Sequence, residues 1–211
     1  MKTIIYFMIL IITLSSCEKK GKSIFHYPTI QEFKNLKNKD TLSLNQFENF
    51  KSIIDTLWYF KKHLKEKNPV FIIENNDNCF YLKTVDLNSN CFGAGLIKFK
   101  NLIGISKDSL IKQNKYYTID SLSKILKTDL SNNGIDNNFA DSPKKLIIRF
   151  SQPYRESIKD LESNLLLLFK TYNRINKEYG DTLELNIDFE ELSIMKPPPP
   201  PPIGFDYENI E

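Results

Sequence analysis

Three cysteines, Cys17, Cys79 and Cys91, and two histidines, His26 and His63, are the residues of this chain best suited to act as nucleophiles, metal ligands or sites of covalent modification. Their spacing narrows the chemistry. Zinc ligands usually come in C-x-x-C or H-x-x-x-H pairs; neither spacing occurs, and no metal site or cofactor is expected. Nucleophilic catalysis needs a general base oriented beside the nucleophile, and the histidines are a poor supply: one lies in a polar N-terminal stretch, the other on an apolar-periodic segment. The nearest carboxylate groupings, Asp136 with Asp141 and Glu190 with Glu191, fall in a polar loop and at a strand end, where solvated acids are the norm. A glycosidase-type pair would need both acids in one cleft, one of them desolvated. The chain reads as noncatalytic.

Cys17 differs from the other two cysteines in what precedes it. Lys2 supplies a positive start, and Ile4 to Leu14 (IIYFMILIITL) is apolar without a charge. At 11 residues this run is too short for the ~20 that a bilayer-spanning helix needs; it has the length of a signal-peptide apolar region. The four residues Leu14-Ser15-Ser16-Cys17 resemble the bacterial lipoprotein lipobox. That resemblance implies cleavage before Cys17, a diacylglycerol thioether on its sulfur and an acylated amine. Two or three acyl chains anchor a protein stably, where one does so only marginally. The expected location is a bacterial envelope membrane, inner or outer, facing the periplasm or the surface. The alternatives are an ordinary cleaved signal peptide with a chance cysteine, or an N-terminal core helix.

Removing residues 1–16 leaves 195 of the 211 residues and takes away Lys2 alone, so 28 basic residues stand against 26 acidic, a formal net charge of +2. A nucleic-acid binder would carry a clustered basic face and a strong positive excess, so nucleic acid is not an expected partner. With Cys17 lipidated, Cys79 and Cys91 remain, 12 positions apart. In an oxidising exported compartment they could form a disulfide worth about 3 kcal/mol in the chain-entropy model. The other possibility is two independent, small, buried hydrophobes.

The elements that would position these residues divide the chain into five stretches. Residues 1–16 are the cleaved signal peptide, and 17–42 a lipidated cysteine with a polar tether ending in a short helix at most. Residues 43–101 hold an amphipathic helix and strands. The helix begins at Ser43, which forms an S-x-x-Q capping box with Gln46. Leu44, Phe47, Phe50, Ile54, Leu57, Trp58, Lys61 and Leu64 follow a 3.6 period until Asn68-Pro69. Core packing with solvated lysines is the expected use of this helix, a membrane-surface role the alternative. Strands follow at 70–74, 79–86 and 96–106, with a turn at Phe92-Gly93-Ala94-Gly95. Residues 102–192 read strand, helix, strand, helix, strand: a helix through Ile119, Leu122, Ile125, Leu126 and Leu130 stopped by Asn132-Asn133-Gly134, the strand LIIRF at 146–150, a long helix opened by Pro153 and closed by Gly180, and an alternating strand at 183–190. The fold class is α/β (α+β): a mixed β-sheet with helices packed on one face, preceded by the amphipathic helix.

Within that region KKLIIRFSQPYRESIKDLE (144–162), preceded by YYTIDSLSKIL (116–126), resembles the periplasmic domain of the ExbD/TolR family. Arg149, Pro153, Tyr154, Ile158 and Leu161 carry the match: a strand ending in a basic residue, a short loop, a Pro-Tyr pair and a helix. The resemblance implies a βαβαβ core that dimerises and binds envelope proteins through exposed strand edges. It does not imply proton-driven transport, because family members carry a proton-handling aspartate on an N-terminal membrane helix, and residues 1–16 contain no acid.

Residues 193–211 contain six prolines, Pro197 to Pro202, then IGFDYENIE. A six-proline rod spans about 19 Å, which would hold Phe205 and Tyr207 away from the domain as a docking peptide or leave them as an inert terminus. Two functions follow. One is a membrane-anchored interaction module that binds envelope proteins, with Pro197, Pro202, Phe205 and Tyr207 as candidate contacts, and that could pair with a second copy through a strand edge. The other is capture of a small or polymeric ligand between the aromatic helix and the sheet.

Overall fold

A computed structural model describes residues 21–85 and 98–191. Cys17, Cys91, the turn at 92–95 and residues 193–211 lie outside that range.

The fold is α/β, with helices packed on sheets. The first sheet has the order β1-β4-β3-β2, from β1 (Ser23–Tyr27), β2 (Lys39–Ser43), β3 (Asn68–Glu74) and β4 (Asn78–Leu82). β1 runs parallel to β4 and β2 parallel to β3, while β3 and β4 form an antiparallel hairpin. Between them lie α1 (Ile30–Asn35) and α2 (Phe50–His63). The second sheet has the order β7-β6-β5-β8-β9, from β5 (Leu102–Ser106), β6 (Ser109–Lys112), β7 (Lys115–Thr118), β8 (Ile147–Gln152) and β9 (Asn186–Glu191). Its strands β5, β8 and β9 are parallel, joined by α3 (Leu122–Asn132) and α4 (Ile158–Glu178). This is the expected alternation of strand and helix, with β6 and β7 added as an antiparallel edge.

Both sheets contribute to one hydrophobic core. Tyr27, Phe71 and Phe80 of the first sheet and Ile105, Phe150 and Ile187 of the second belong to the same buried cluster. α4 lies at its centre, burying Leu161, Leu165, Leu168, Phe169, Tyr172 and Ile175. The Phe169 ring stacks on Tyr27 at 4.6 Å and on Phe80 at 4.7 Å, and the Tyr27 hydroxyl donates to Asn173 Oδ1 at 2.8 Å. The sheets also touch directly, through Phe71 against Phe189 at 5.7 Å and a 2.8 Å bond from Val85 N–H to the Ile187 carbonyl.

Several local expectations are corrected. The polar tether is folded from Ser23 onward as β1, α1 and β2; its hydrogen bonds come from β3 and β4, far along the chain, so short-range periodicity gives little sign of them. The capping box at Ser43 does not form. Leu44–Gln46 is a single 3-10 turn without a side-chain cap, and α2 starts at Phe50, where Asn49 Oδ1 accepts from Ser52 N–H at 3.1 Å. Pro153 begins a turn rather than the helix; α4 starts at Ile158, capped by Ser157. The hairpin β6–β7 went unread because Gln113 and Asn114, with φ of 48° and 61°, make its turn without a glycine. α4 does end at Gly180, whose φ of 68° suits a residue without Cβ.

Candidate functional site

α2 divides its side chains three ways. Phe50, Ile53 and Phe60 are buried in the core. Ile54 and Leu57 are half-buried, and Trp58 and Tyr59 remain 57% and 51% exposed. Core packing and an open groove thus share one helix: Phe50 sits against Phe189 at 6.0 Å, while Trp58 stands on a groove wall with the Lys62 ammonium 4.5 Å from its ring centre.

That groove has a volume of about 1070 Å³. α2 lines it with Ile54, Leu57, Trp58, Phe60 and Lys61, the connection to β3 adds Lys65 and Lys67, and β3 adds Pro69. Lys83, Thr84 and Val85 follow β4 into it, and Asn186, Asp188 and Phe189 come from β9. Lys144 and Glu184, just before β8 and β9, and Pro28 and Glu32, just after β1, complete the lining. These residues gather because strand register brings one end of both sheets together: Tyr27 pairs with Leu82, Leu82 with Phe71, and Ile147 with Asn186.

The charge around the groove is unequal. Five lysines face three carboxylates. Two of the acids have cationic neighbours: Glu184 lies 3.6 Å from Lys144, and Asp188 accepts from Arg149 Nε at 2.8 Å. Lys67 is committed to Asp40 at 2.9 Å. The ammonium groups of Lys65 and Lys83 have no hydrogen bond or ion pair among the described residues. The groove therefore offers an apolar floor and unneutralised positive charge, suited to a ligand that alternates apolar and acidic groups.

The opposite end of the sheet is closed. Ligand crevices in open parallel sheets usually lie at the carboxyl ends of the strands. Here Phe50 N–H donates to the Glu156 carbonyl at 3.2 Å and Lys51 N–H to the Tyr154 carbonyl at 3.1 Å, with an isolated bridge between Asn49 and Ser157. Beneath this seal Gln152 is fully buried, and neither its amide nitrogen nor its oxygen has a hydrogen-bond partner among the described residues.

The other chemistry-bearing residues are separated. Cys79 is a free, buried thiol that donates to Glu74 Oε1 at 3.6 Å, and burial pushes its pKa up; Cys91, its expected partner, lies outside the described residues. His26 stacks on Tyr81 at 5.2 Å, and burial, aided by Lys39 and Lys34, lowers its pKa. Asp136 accepts from Asn138 N–H within its loop. Asp141 is held well below the usual carboxylate range by hydrogen bonds from Lys100 and Lys98. Glu190 pairs with Arg149 at 2.7 Å. Among the described residues no three His, Cys, Asp or Glu side chains group as a metal site, and no helix is long and apolar enough to cross a membrane.

One constellation escaped sequence reasoning. Lys112 on β6 and Asp129 on α3 are 4% and 0% exposed and pair at 2.7 Å. Lys112 Nζ also donates to the Lys100 carbonyl at 2.6 Å, and Ala140 N–H to Asp129 Oδ1 at 2.6 Å. Burial lowers the Lys112 pKa and raises that of Asp129. The only sequence signal is an acid between Leu126 and Leu130 on an apolar helix face.

The residues of the ExbD/TolR resemblance fall at the β8–α4 junction. Arg149 bridges Asp188 and Glu190, Pro153 and Tyr154 form the turn, and Ile158 and Leu161 are buried on α4. No protein-family model, no curated protein and no solved structure matches the chain.

Proposed function

We propose that this chain is a noncatalytic lipoprotein, held in a bacterial envelope membrane by lipid on Cys17, whose groove binds an extended acidic-apolar segment of an envelope protein. The observation that carries this reading is the groove itself, lined by apolar residues of α2 and by five lysines. Its volume of about 1070 Å³ is close to the upper end of the usual ~300–1,000 Å³ for ligand sites.

The placement of the anchor supports the same reading. β1 starts six residues after Cys17, and Lys22 is tied to Glu74 at 2.6 Å. The groove begins beyond the other end of β1, at Pro28, about 16 Å away at ~3.3 Å per strand residue. A lipid on Cys17 would therefore attach at the end of β1 remote from the groove.

The test is a photo-crosslinking side chain at position 58 in the lipidated protein, compared with one at Leu167, which is exposed on α4. A discrete envelope-protein adduct from position 58 that disappears in Lys65→Glu/Lys83→Glu supports groove binding. Equal adducts from both positions, or adducts indifferent to charge reversal, overturn it.

A second reading concerns β7, the sheet edge, where all four residues are exposed and Tyr116 is 77% accessible. An open edge invites strand addition, and the ExbD/TolR-like region would dimerise there. Sedimentation should show a dimer that Tyr116→Lys weakens; a monomer at all concentrations removes this reading.

A further inference from the structure

We propose that the groove of the resting protein is occupied by the chain's own residues 203–208, IGFDYE, which a partner must displace. This rests on the reading of the groove as a site for an extended chain, and names its internal competitor.

The pattern of the segment matches the groove. In an extended conformation side chains alternate sides. Ile203, Phe205 and Tyr207 would face one way, Asp206 and Glu208 the other. The first set has the chemistry of the floor, where Ile54, Leu57 and Phe60 offer apolar surface; the second has the charge that Lys65 and Lys83 lack among the described residues. From Ile54 to Lys61 the helical wall is about 10 Å long at 1.5 Å per residue, and Lys65 and Lys67 continue the lining beyond the helix end at His63; six extended residues span about 17 Å.

The intervening chain has the right reach. It leaves β9 at Glu191, and the groove opens toward Asn186, about 17 Å back along that strand. Pro197–Pro202 favour a rod of about 19 Å, and residues 192–196 add up to about 17 Å of adjustable chain. A tether of this length gives an effective concentration of about 1 mM. A segment with an intrinsic dissociation constant of about 100 µM would then fill the groove about nine-tenths of the time and weaken a competing ligand about tenfold.

Trp58 is the only tryptophan and lies on the groove wall, so its fluorescence reports occupancy. The mature chain is compared with the same chain ending at Pro202, and both are titrated with a synthetic peptide of residues 203–211. Truncation is expected to increase quenching of Trp58 by acrylamide. The added peptide should reverse that change, binding the truncated chain about tenfold more tightly than the full chain. Asp206→Lys/Glu208→Lys in the full chain should mimic truncation, and Lys65→Glu/Lys83→Glu should restore binding of the charge-reversed tail.

Identical quenching and identical peptide affinity in the two chains overturn the proposal. So does protection of Trp58 that grows with protein concentration, because the tail would then be filling a second copy. Crosslinking at position 58 separates this from the functional reading. A partner captured equally by both chains, with Trp58 indifferent to truncation, leaves the groove function standing and removes the tail; a Trp58 response without any partner adduct does the reverse.

Discussion

Removing Lys112 or Asp129 singly should cost far more than removing both. The two side chains are almost wholly buried and share a 2.7 Å ion pair. Breaking such a pair from one side leaves an uncompensated buried charge and costs about 3–5 kcal/mol. At about 2–4 °C per kcal/mol for a chain of this size, Lys112→Met or Asp129→Asn should each lower Tm by roughly 10 °C. In the double variant the side-chain amide oxygen introduced by Asp129→Asn would still accept from Ala140 N–H, and the methionine would fill the space of the lysine stem, so stability should return to within about 2 kcal/mol of the parent. The single variants also differ in pH dependence. Without Lys112 the folded pKa of Asp129 lies further above its unfolded value of about 3.9, so the stability tied to its protonated form is present at acid pH and lost as pH rises through the folded pKa. Lys112→Met should therefore sit nearer the parent at about pH 4 than at about pH 8. Urea unfolding followed by circular dichroism measures all four corners of the cycle. Additive losses, with the double variant as unstable as the two singles combined, would refute the pair as an energetic unit.

Three further outcomes follow from the packing. Gln152→Leu, which removes a buried amide without partners among the described residues, should leave stability unchanged or raise it by about 1–2 kcal/mol in urea unfolding. Phe169→Ala, which opens a void between Tyr27 and Phe80, should cost about 3–5 kcal/mol by the same measurement. Asp141 has a folded pKa held below its unfolded value by Lys100 and Lys98, so its contribution is present above about pH 4 and lost on acidification; Asp141→Asn should be less stable than the parent at neutral pH, with the gap closing as pH falls.

Periodicity exposed what depends on neighbours in sequence. α3, α4, β8 and β9 each bury a regular face, and their order implies the parallel crossovers. β1 and β2 failed that test because they are edge strands with few buried residues; only Tyr27 of β1 is fully covered, by rings from β4 and α4. The groove was half legible for a related reason. Trp58 and Leu57 could be placed on one aromatic helix, but Lys83, Lys144 and Glu184 reach the same space only through the pairing of β8 with β9 and the Val85–Ile187 hydrogen bond beyond the end of β4. Its position follows the usual rule only in part, since it lies at the amino ends of β3, β8 and β9 but at the carboxyl ends of β1 and β4, while α2 and the β8–α4 turn close the carboxyl end of β8.

The short run from Cys17 to β1 has a mechanical consequence. Under the proposed anchoring, a partner pulling on the groove would draw against the lipid along the axis of β1. Tension would load the hydrogen bonds between β1 and β4 together, in shear, instead of peeling them one at a time. The strand that attaches the domain to the membrane would thus be oriented to bear a load, with the Tyr27 ring, stacked on Phe169, as its footing in the core.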